Sequence, residues 1–220
     1  ILSDKGIAKD KNDAVKFEQG CILNFLDYAS TDGYIPIVIL SNVNPRETER
    51  MPADIYKENM HKPVLAQHAA FLTKLNNGDA DWLRDKFYLL EAFIDNYETH
   101  HKHKPTGLFY WQTDLAIGVD NDPSTFFRPP GSSASIYLNC LMYKELLAMS
   151  YLAGKLQQGD AEKNFLKDAG DLKNAIQKNC WDERDGFFYS VDINLRPIVD
   201  TPGTYIGLKL VLHSGFPRSY

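Results

Sequence analysis

Apolar side chains recur every three or four residues along much of the chain, which predicts a largely helical protein. The first such pattern covers residues 9–29 and ends at the turn signal Ser30-Thr31-Asp32-Gly33. Its predicted buried face consists of Ala14, Phe17, Cys21, Phe25 and Tyr28. Residues 41–59 are polar, contain two prolines and show no period, so we predict a long loop there. Loops of this length in a compact domain are often functional.

Two further helices are predicted with a short joint between them. Pro63 suits the first turn of the second helix, which should stop at Asn76-Asn77-Gly78. Its buried face is predicted to be Leu65, Ala69 and Leu72. Asp79 should cap the third helix, which extends to the segment His100-His101-Lys102-His103. Its continuous apolar line consists of Leu83, Phe87, Leu90, Ile94 and Tyr97.

The fourth and fifth predicted helices differ in the width of their apolar surface. Ser132 or Ser133 should cap the fourth, which is apolar on two faces and therefore expected between neighbours. Those faces are Leu138, Leu141 and Leu152 on one side, and Ile136, Cys140, Leu147 and Tyr151 on the other. Asp160 should cap the fifth, whose single narrow face suits an outer position: Phe165, Ala169, Leu172 and Ile176. Asp185-Gly186 then predicts a turn into a strand over 187–192, as part of a short β-hairpin.

These elements predict a mainly α protein built from helical hairpins stacked side by side, with inner and outer helices alternating and long loops at one end. Such hairpins can form an open solenoid or close into a toroid. No fixed-period repeat is visible, and the helices are unequal in length, so we favour an incomplete part of an (α/α)6 toroid forming a single domain over residues 1–220. Because the chain begins with Ile1 and its last residues read as mid-loop, we expect it to be a piece of a longer protein.

Composition narrows the function classes. The 220 residues are 44% hydrophobic and 24% charged, with a net charge of −5 and scattered Lys and Arg, so nucleic acid is not an expected partner. No apolar run approaches the ~20 residues needed to cross a bilayer. Cys21, Cys140 and Cys180 lack the spacing of a zinc site and are predicted to be buried apolar residues. The compartment stays undecided, with a periplasmic or secreted location slightly favoured over a cytoplasmic one.

The segment over residues 107–131 combines five aromatic residues with three acids and has no helical period. An Asp-rich turn approaching the next helix is the simplest interpretation, because Asp bonds its own backbone, and Asp122 before Pro123 suits that role. The aromatic residues are too many for a solvated turn, however, and rings around a carboxyl raise its pKa as a general acid requires. A groove with flat apolar faces, a few acids and amides suits a sugar.

Three other clusters carry weaker signals. His61 and Lys62 precede the second helix and are read as helix-end residues in preference to substrate contacts. The spacing of His100, His101 and His103 does not fit a metal site on one helix face. Between Trp181 and Tyr189 the acids Asp182, Glu183 and Asp185 suit a turn, whereas the roles of Tyr189 and Asp192 stay open.

At these residues the sequence resembles the α/α-toroid glycoside hydrolases, most closely glycoside hydrolase family 63, which shares a clan with trehalases. Four segments between residues 32 and 192 carry the likeness in order. They are Gly33-Tyr34-Ile35-Pro36, Lys62-Pro63-Val64-Leu65-Ala66, residues 107–111 together with Gly118-Val119-Asp120-Asn121-Asp122-Pro123, and residues 181–192. The Gly-x-Asp-Asn-x-Pro element is the most specific of them.

The resemblance implies an inverting, exo-acting α-glycosidase, expected to be an α-glucosidase, with Asp120 as the general acid. Substrate contacts are expected from Trp111, Tyr110, Asn121, Lys62, Gln112, Arg128 and Tyr137. Inversion requires a second carboxylate about 6.5–9.5 Å from the first, which acts as base on a water. That base is expected beyond Tyr220, so an isolated fragment would lack it.

The resemblance implies a carbohydrate substrate, namely an α-linked oligosaccharide or glycosyl conjugate, and no cofactor or catalytic metal. Whether a structural calcium ion braces a loop stays open. The alternative from a different class is a non-catalytic carbohydrate-binding helical module.

Overall fold

The computed structural model describes residues 9–39, 60–118, 122, 124–126 and 128–198. Within these residues the chain is mainly helical, as predicted, and the predicted loop over 41–59 lies outside them. The α-helices are α1 (Lys11–Asp27), α2 (Leu65–Leu75), α3 (Phe87–His100), α4 (Ile136–Lys155) and α5 (Gly159–Cys180). Short 3-10 helices cover Asp81–Lys86 and Asp114–Ala116.

The described strands are two residues each and form antiparallel pairs. They are β1 (Lys102–His103), β2 (Leu108–Phe109), β3 (Ser133–Ala134), β4 (Trp181–Asp182), β5 (Phe187–Phe188) and β6 (Val191–Asp192). β1 pairs with β2, β3 with β6, and β4 with β5.

α4 lies at the centre of the packing, with α5 on one side and α2 on another, while α1 packs on α2 and on the Asp81–Lys86 helix. Met142, Leu146 and Met149 of α4 are fully buried. α5 buries only one face, which includes Ala169, Leu172 and Ile176. The prediction of an inner fourth helix and an outer fifth helix is therefore confirmed.

The predicted buried face of the first helix is wrong. α1 buries Val15, Gln19, Ile22 and Leu26, whereas Phe17 is 55% exposed and Cys21 is exposed as well. Two apolar lines run side by side along this helix, and a helical period alone cannot choose between them. The packing against α2 selects the line through Ile22 and Leu26.

The apolar line of the third helix is confirmed, because Leu83, Phe87, Leu90, Ile94 and Tyr97 are all buried. The line is carried by a 3-10 helix followed by α3. The predicted cap at Asp79 is wrong by one residue, because the residue at the cap is Ala80. The Asp79 carboxylate still accepts a hydrogen bond from the Asp81 N–H at 2.9 Å.

Two other predicted helix starts are wrong. Ser133 belongs to β3, and the first N–H of α4 is instead bound by a residue distant in sequence, since Ile136 N donates to Ser190 Oγ at 3.0 Å. Asp160 lies inside the first turn of α5, and the residue at the cap is Gln158. In both cases a nearby polar residue was a plausible local cap, and for α4 a contact with a distant residue replaces it.

The strand predicted over 187–192 is divided between two sheets. β5 forms a hairpin with β4 around the turn at Asp185 and Gly186, whereas β6 leaves that hairpin and pairs with β3 just before α4. The hairpin therefore covers residues 181–188, and the end of the predicted strand joins the segment that leads into the central helix.

Candidate active site

Asp122 shapes a turn, as the sequence suggested. Its side chain is 5% exposed, and Oδ1 accepts a hydrogen bond from Ser124 N at 2.7 Å. Its carbonyl accepts from Thr125 N at 2.9 Å and Phe126 N at 2.8 Å. The carboxylate is therefore committed to its own loop. Asp120 and Asn121, the central residues of the Gly-x-Asp-Asn-x-Pro element, lie outside the described residues and remain predictions.

Asp114 is the other described acid of the segment. Thr125 Oγ1 donates to its carboxylate at 2.5 Å, which ties the Asp114–Ala116 helix to the turn after Asp122. Asp114 thus holds two parts of the aromatic segment together.

Lys62 lies directly against the start of this element. A Cβ placed on Gly118 would stand 2.5 Å from Lys62 Cε and 2.8 Å from its Nζ. Gly118 has φ +71, a conformation that glycine adopts without strain. The structure thus brings a predicted substrate-binding cation to a point two residues before Asp120.

The backbone that carries Lys62 is held on both sides. His61 N donates to Ile35 O at 2.7 Å, and Tyr97 Oη donates to the His61 carbonyl at 2.9 Å. Val64 N donates to Lys62 O at 2.7 Å. The position of the Lys62 Cα is therefore fixed by the tertiary structure.

His61 is half-buried between α1 and the segment before α2. Its ring packs edge-on to Phe25 with centroids 4.8 Å apart, and burial lowers its pKa. Neither His61 nor Lys62 caps α2, because the residue at the cap is Val64 and its side chain makes no cap hydrogen bond. His61 and Lys62 therefore precede the helix, as predicted, but neither side chain caps it.

Most described rings of the aromatic segment belong to the core. Phe109, Tyr110 and Trp111 are buried, whereas Phe126 is 47% exposed. The buried indole N–H of Trp111 has no hydrogen-bond partner among the described residues, which is unusual for a polar group in a core. Burial raises the pKa of Tyr110. Phe126 is thus the ring of this segment, among those described, that presents a substantial apolar surface to solvent.

The remaining predicted substrate contacts are spread around this segment. Gln112 Nε2 donates to the His100 carbonyl at 2.6 Å. Arg128 follows the turn and is half-buried, with its N–H donating to Thr125 O at 3.0 Å. Tyr137 is half-buried in the first turn of α4, where burial raises its pKa. Their roles toward a substrate remain predictions.

The histidines after α3 serve local structure. His101 is buried with Nδ1 3.2 Å from Tyr110 O, and burial lowers its pKa to about 4. His103 Nδ1 lies 3.1 Å from Thr106 Oγ1. Within the described part of the chain, no group of three or more His, Cys, Asp or Glu side chains is placed to hold a metal ion. None of the described helices is long and apolar enough to span a membrane.

The acids near residues 182–192 also have structural roles. Asp182 accepts from Asp185 N at 3.0 Å, and Tyr189 Oη donates to the Asp185 carboxylate at 3.0 Å. Asp192 Oδ1 accepts from Asn194 N at 2.8 Å and Arg196 N at 2.9 Å. Tyr189 and Asp192, whose roles the sequence left open, thus each take part in local hydrogen bonds.

Sequence reasoning missed two buried polar residues of α4. Asn139 is fully buried, its Oδ1 accepting from Phe109 N at 2.8 Å and its Nδ2 donating to Phe109 O at 2.9 Å, so it holds the start of the aromatic segment. Glu145 is also fully buried, and it accepts from Ala66 N at 2.7 Å and Gln67 N at 3.2 Å. The available signal was a polar residue inside a helix that is apolar on more than one face.

The helical fold and the Gly-x-Asp-Asn-x-Pro sequence at residues 118–123 are those expected of a glycoside hydrolase of the α/α-toroid class. The comparison with known families agrees. The model of the mannosylglycerate hydrolase MGH1-like glycoside hydrolase domain matches residues 21–209, and the chain belongs to this family. No curated protein matches the chain.

Solved structures share the fold. A GH63 mannosylglycerate hydrolase from Thermus thermophilus in complex with glucose is similar with a TM-score of 0.60 and 18% identity, over 81% of this chain and 55% of that one. The same enzyme in complex with Tris and D-glycerate gives a TM-score of 0.55 and 15% identity, over 80% and 57%. An uncharacterised conserved protein from the same organism gives 0.57 and 16%, over 80% and 54%. The chain spans about half the length of these structures.

Proposed function

We propose that the protein is an exo-acting, inverting α-glycosidase in which Asp120 protonates the glycosidic oxygen. The observation that carries this proposal is the meeting of Lys62 with Gly118 at the entry to the Gly-x-Asp-Asn-x-Pro element. Asp122 and Asp114 are each engaged by neighbours of the loop. Asp120 is therefore the acid of the segment that we select for proton transfer.

The arrangement supports a subsite for a single terminal sugar. An ammonium group donates hydrogen bonds to sugar hydroxyls, and an aromatic face such as that of Phe126 covers the C–H face of the ring. We propose α-linked glucose as the terminal residue, attached to another sugar or to a small acid. One related enzyme is a mannosylglycerate hydrolase, so glycosyl-glycerates belong among the substrates to be tried.

The test compares Asp120→Asn with Asp122→Asn in the intact protein. Asp120→Asn removes the transferable proton and should lower kcat by about 10²–10⁴-fold with little change in the free energy of unfolding. Asn at 122 retains the oxygen that accepts from Ser124 N, so Asp122→Asn should keep most of the activity. Activity is measured on α-linked glucose and mannose disaccharides and on glycosyl-glycerates.

Two outcomes contradict this assignment. Retention of most activity by Asp120→Asn would show that another group is the acid. Failure of the intact wild-type protein on every member of the panel, together with binding of the sugars, would favour the non-catalytic carbohydrate-binding module.

A further inference from the structure

A fully buried glutamate connects the central helix to the segment that presents Lys62. Glu145 on α4 accepts hydrogen bonds from Ala66 N at 2.7 Å and Gln67 N at 3.2 Å, which belong to the first turn of α2. The N–H groups of a first helical turn have no partner within the helix. Because Val64 supplies no side-chain cap to α2, Glu145 performs that role from 79 residues away.

Capping α2 with a buried carboxylate has a high cost in solvation free energy. Removing a carboxylate from water costs several kcal/mol unless hydrogen bonds and nearby charge compensate for it. The partial positive charge at a helix N-terminus provides part of that compensation. A Ser, Thr or Asp at position 64 would cap the helix at lower cost. A local cap would not, however, connect α2 to α4.

Gln67 extends the connection to the backbone beside Lys62. Its N–H is held by Glu145, while its side-chain Nε2 donates to Pro63 O at 2.7 Å and to Leu141 O at 3.1 Å. Glu145 thus fixes Gln67, and Gln67 fixes the carbonyl next to Lys62. Tyr97 holds the other side of Lys62 through the His61 carbonyl at 2.9 Å.

We propose that Glu145 is a positioning residue, which sets the start of α2 so that the Lys62 side chain lies across Gly118. It touches no substrate itself and acts through Ala66, Gln67 and the backbone of residues 61–64. The catalytic consequence rests on the proposed function, whereas the placement of Lys62 does not. The two can therefore be tested separately.

The structural arm follows backbone amide resonances of the intact protein by NMR. Glu145→Gln replaces one carboxylate oxygen with an NH2 group that cannot accept from a backbone N–H. We expect the amides of Ala66 and Gln67 to shift, and with them the amide of Gly118, which is remote from residue 145 in sequence. Asp79→Ala, which removes the exposed carboxylate that accepts from Asp81 N, is the control and should leave the Gly118 amide unchanged.

A pH titration of the wild-type amide resonances tests the same coupling between Glu145 and Gly118. It needs no substitution that could prevent folding. Burial raises the pKa of Glu145 to about 7, against the opposing effect of its backbone hydrogen bonds. The Ala66 and Gly118 amides should therefore shift together, with a shared midpoint near that pH. A Gly118 amide that neither titrates with Ala66 nor moves in Glu145→Gln overturns the proposal, whatever the activity shows.

The catalytic arm is a double-substitution cycle with Lys62→Met, which retains an unbranched side chain without the charge. Glu145→Gln should lower kcat/KM by about tenfold or more, because a displacement of about 1 Å in a site can cost 10²-fold. In the Lys62→Met background it should have little further effect. Full additivity means that Glu145 does not act through Lys62 and overturns the proposal. An inactive wild-type protein counts against the proposed function alone, and the NMR arm then decides this one.

Discussion

Gly118 and Lys62 show how closely two residues from distant parts of the chain meet at the candidate site. The missing Cβ of Gly118 leaves the space that the end of the Lys62 side chain occupies. Gly131, in the same aromatic segment, has a similar φ of +64, but no atom of the described residues lies within 4 Å of where its Cβ would be. The two glycines therefore differ in the contact and not in the backbone conformation.

Gly118→Ala should reduce activity far more than Gly131→Ala. Each substitution places an L-residue in the left-handed region, at a cost of about 1–2 kcal/mol. Only the first also displaces the Lys62 side chain, so we expect kcat/KM to fall by about tenfold or more in Gly118→Ala and by much less in Gly131→Ala. Steady-state kinetics and urea unfolding of both variants check this. Equal losses of activity would mean that Lys62 is not a substrate contact.

At the scale of elements, α2 and α4 are joined by a buried carboxyl group whose ionisation is linked to folding. Glu145 has a folded pKa of about 7, above its ordinary value of 4.5, because it is buried. Tyr97 is a titratable group that faces it, and burial raises the pKa of Tyr97 well above its ordinary value. His101, next to Tyr97, has its pKa lowered by burial and so affects stability in the opposite direction.

The stability of the wild-type protein should fall, relative to Glu145→Gln, as pH rises from 4.5 to about 7. In that window the carboxyl of the folded protein retains its proton, whereas that of the unfolded protein has lost it. The stabilising contribution is therefore fully present below the unfolded pKa and is lost as pH rises through the folded pKa. The relative change is on the order of 3 kcal/mol. Chemical denaturation of both proteins at several pH values measures it, and His101 cancels in the difference. Parallel stability curves would contradict the raised pKa of Glu145.

The turn after α1 packs against α3 through Gly33. Gly33 has φ +81, and a Cβ there would lie 1.9 Å from the Ala92 carbonyl oxygen, which is backbone and cannot move aside. The Asp32 carbonyl also accepts from Asn96 Nδ2 at 2.8 Å. The spacing between this turn and α3 is thus set by the absence of a side chain.

Gly33→Ala should therefore lower the free energy of unfolding by about 3 kcal/mol or more, through overpacking added to backbone strain. Gly186→Ala is the matched control, because its φ is +61 and none of the described residues has an atom within 4 Å of the added Cβ. It should lose only about 1–2 kcal/mol. Urea unfolding of both variants makes the comparison, and similar losses would mean that the turn can move away from α3.

At the scale of the whole molecule, the described helices form part of a toroid, and the chain spans about half the length of its structural relatives. Inverting glycosidases need two carboxyls about 6.5–9.5 Å apart, with room for a water between them. The described acids of the aromatic segment, Asp114 and Asp122, are engaged in its turns. The proposed mechanism therefore expects the general base on another part of the toroid.

The stereochemistry of the product tests this expectation without knowledge of the base. Hydrolysis of an α-glycoside by the intact protein should first release the β-anomer, which NMR distinguishes before mutarotation. Release of the α-anomer would indicate a double displacement with carboxyls about 5–5.5 Å apart and would overturn the inverting mechanism.

The sequence by itself determined the buried face of each helix that has a single continuous apolar line, because such a helix has no second apolar face to bury. The third helix and α5 are examples, with Leu90 and Leu172 buried as predicted. It also determined the turn role of Asp122, because an Asp side chain binds backbone within two residues and needs no distant partner. The resemblance at Gly118 to Pro123 was sufficient to indicate the family.

Only the tertiary structure decided the outcomes that depend on distant partners. The buried face of α1 was settled by α2, and the caps of α4 and α2 come from Ser190 and Glu145. The contact between Lys62 and Gly118 likewise joins residues far apart in the chain. A local sequence pattern indicates which groups are able to form a cap or a contact. Which of them do so depends on how the helices pack together.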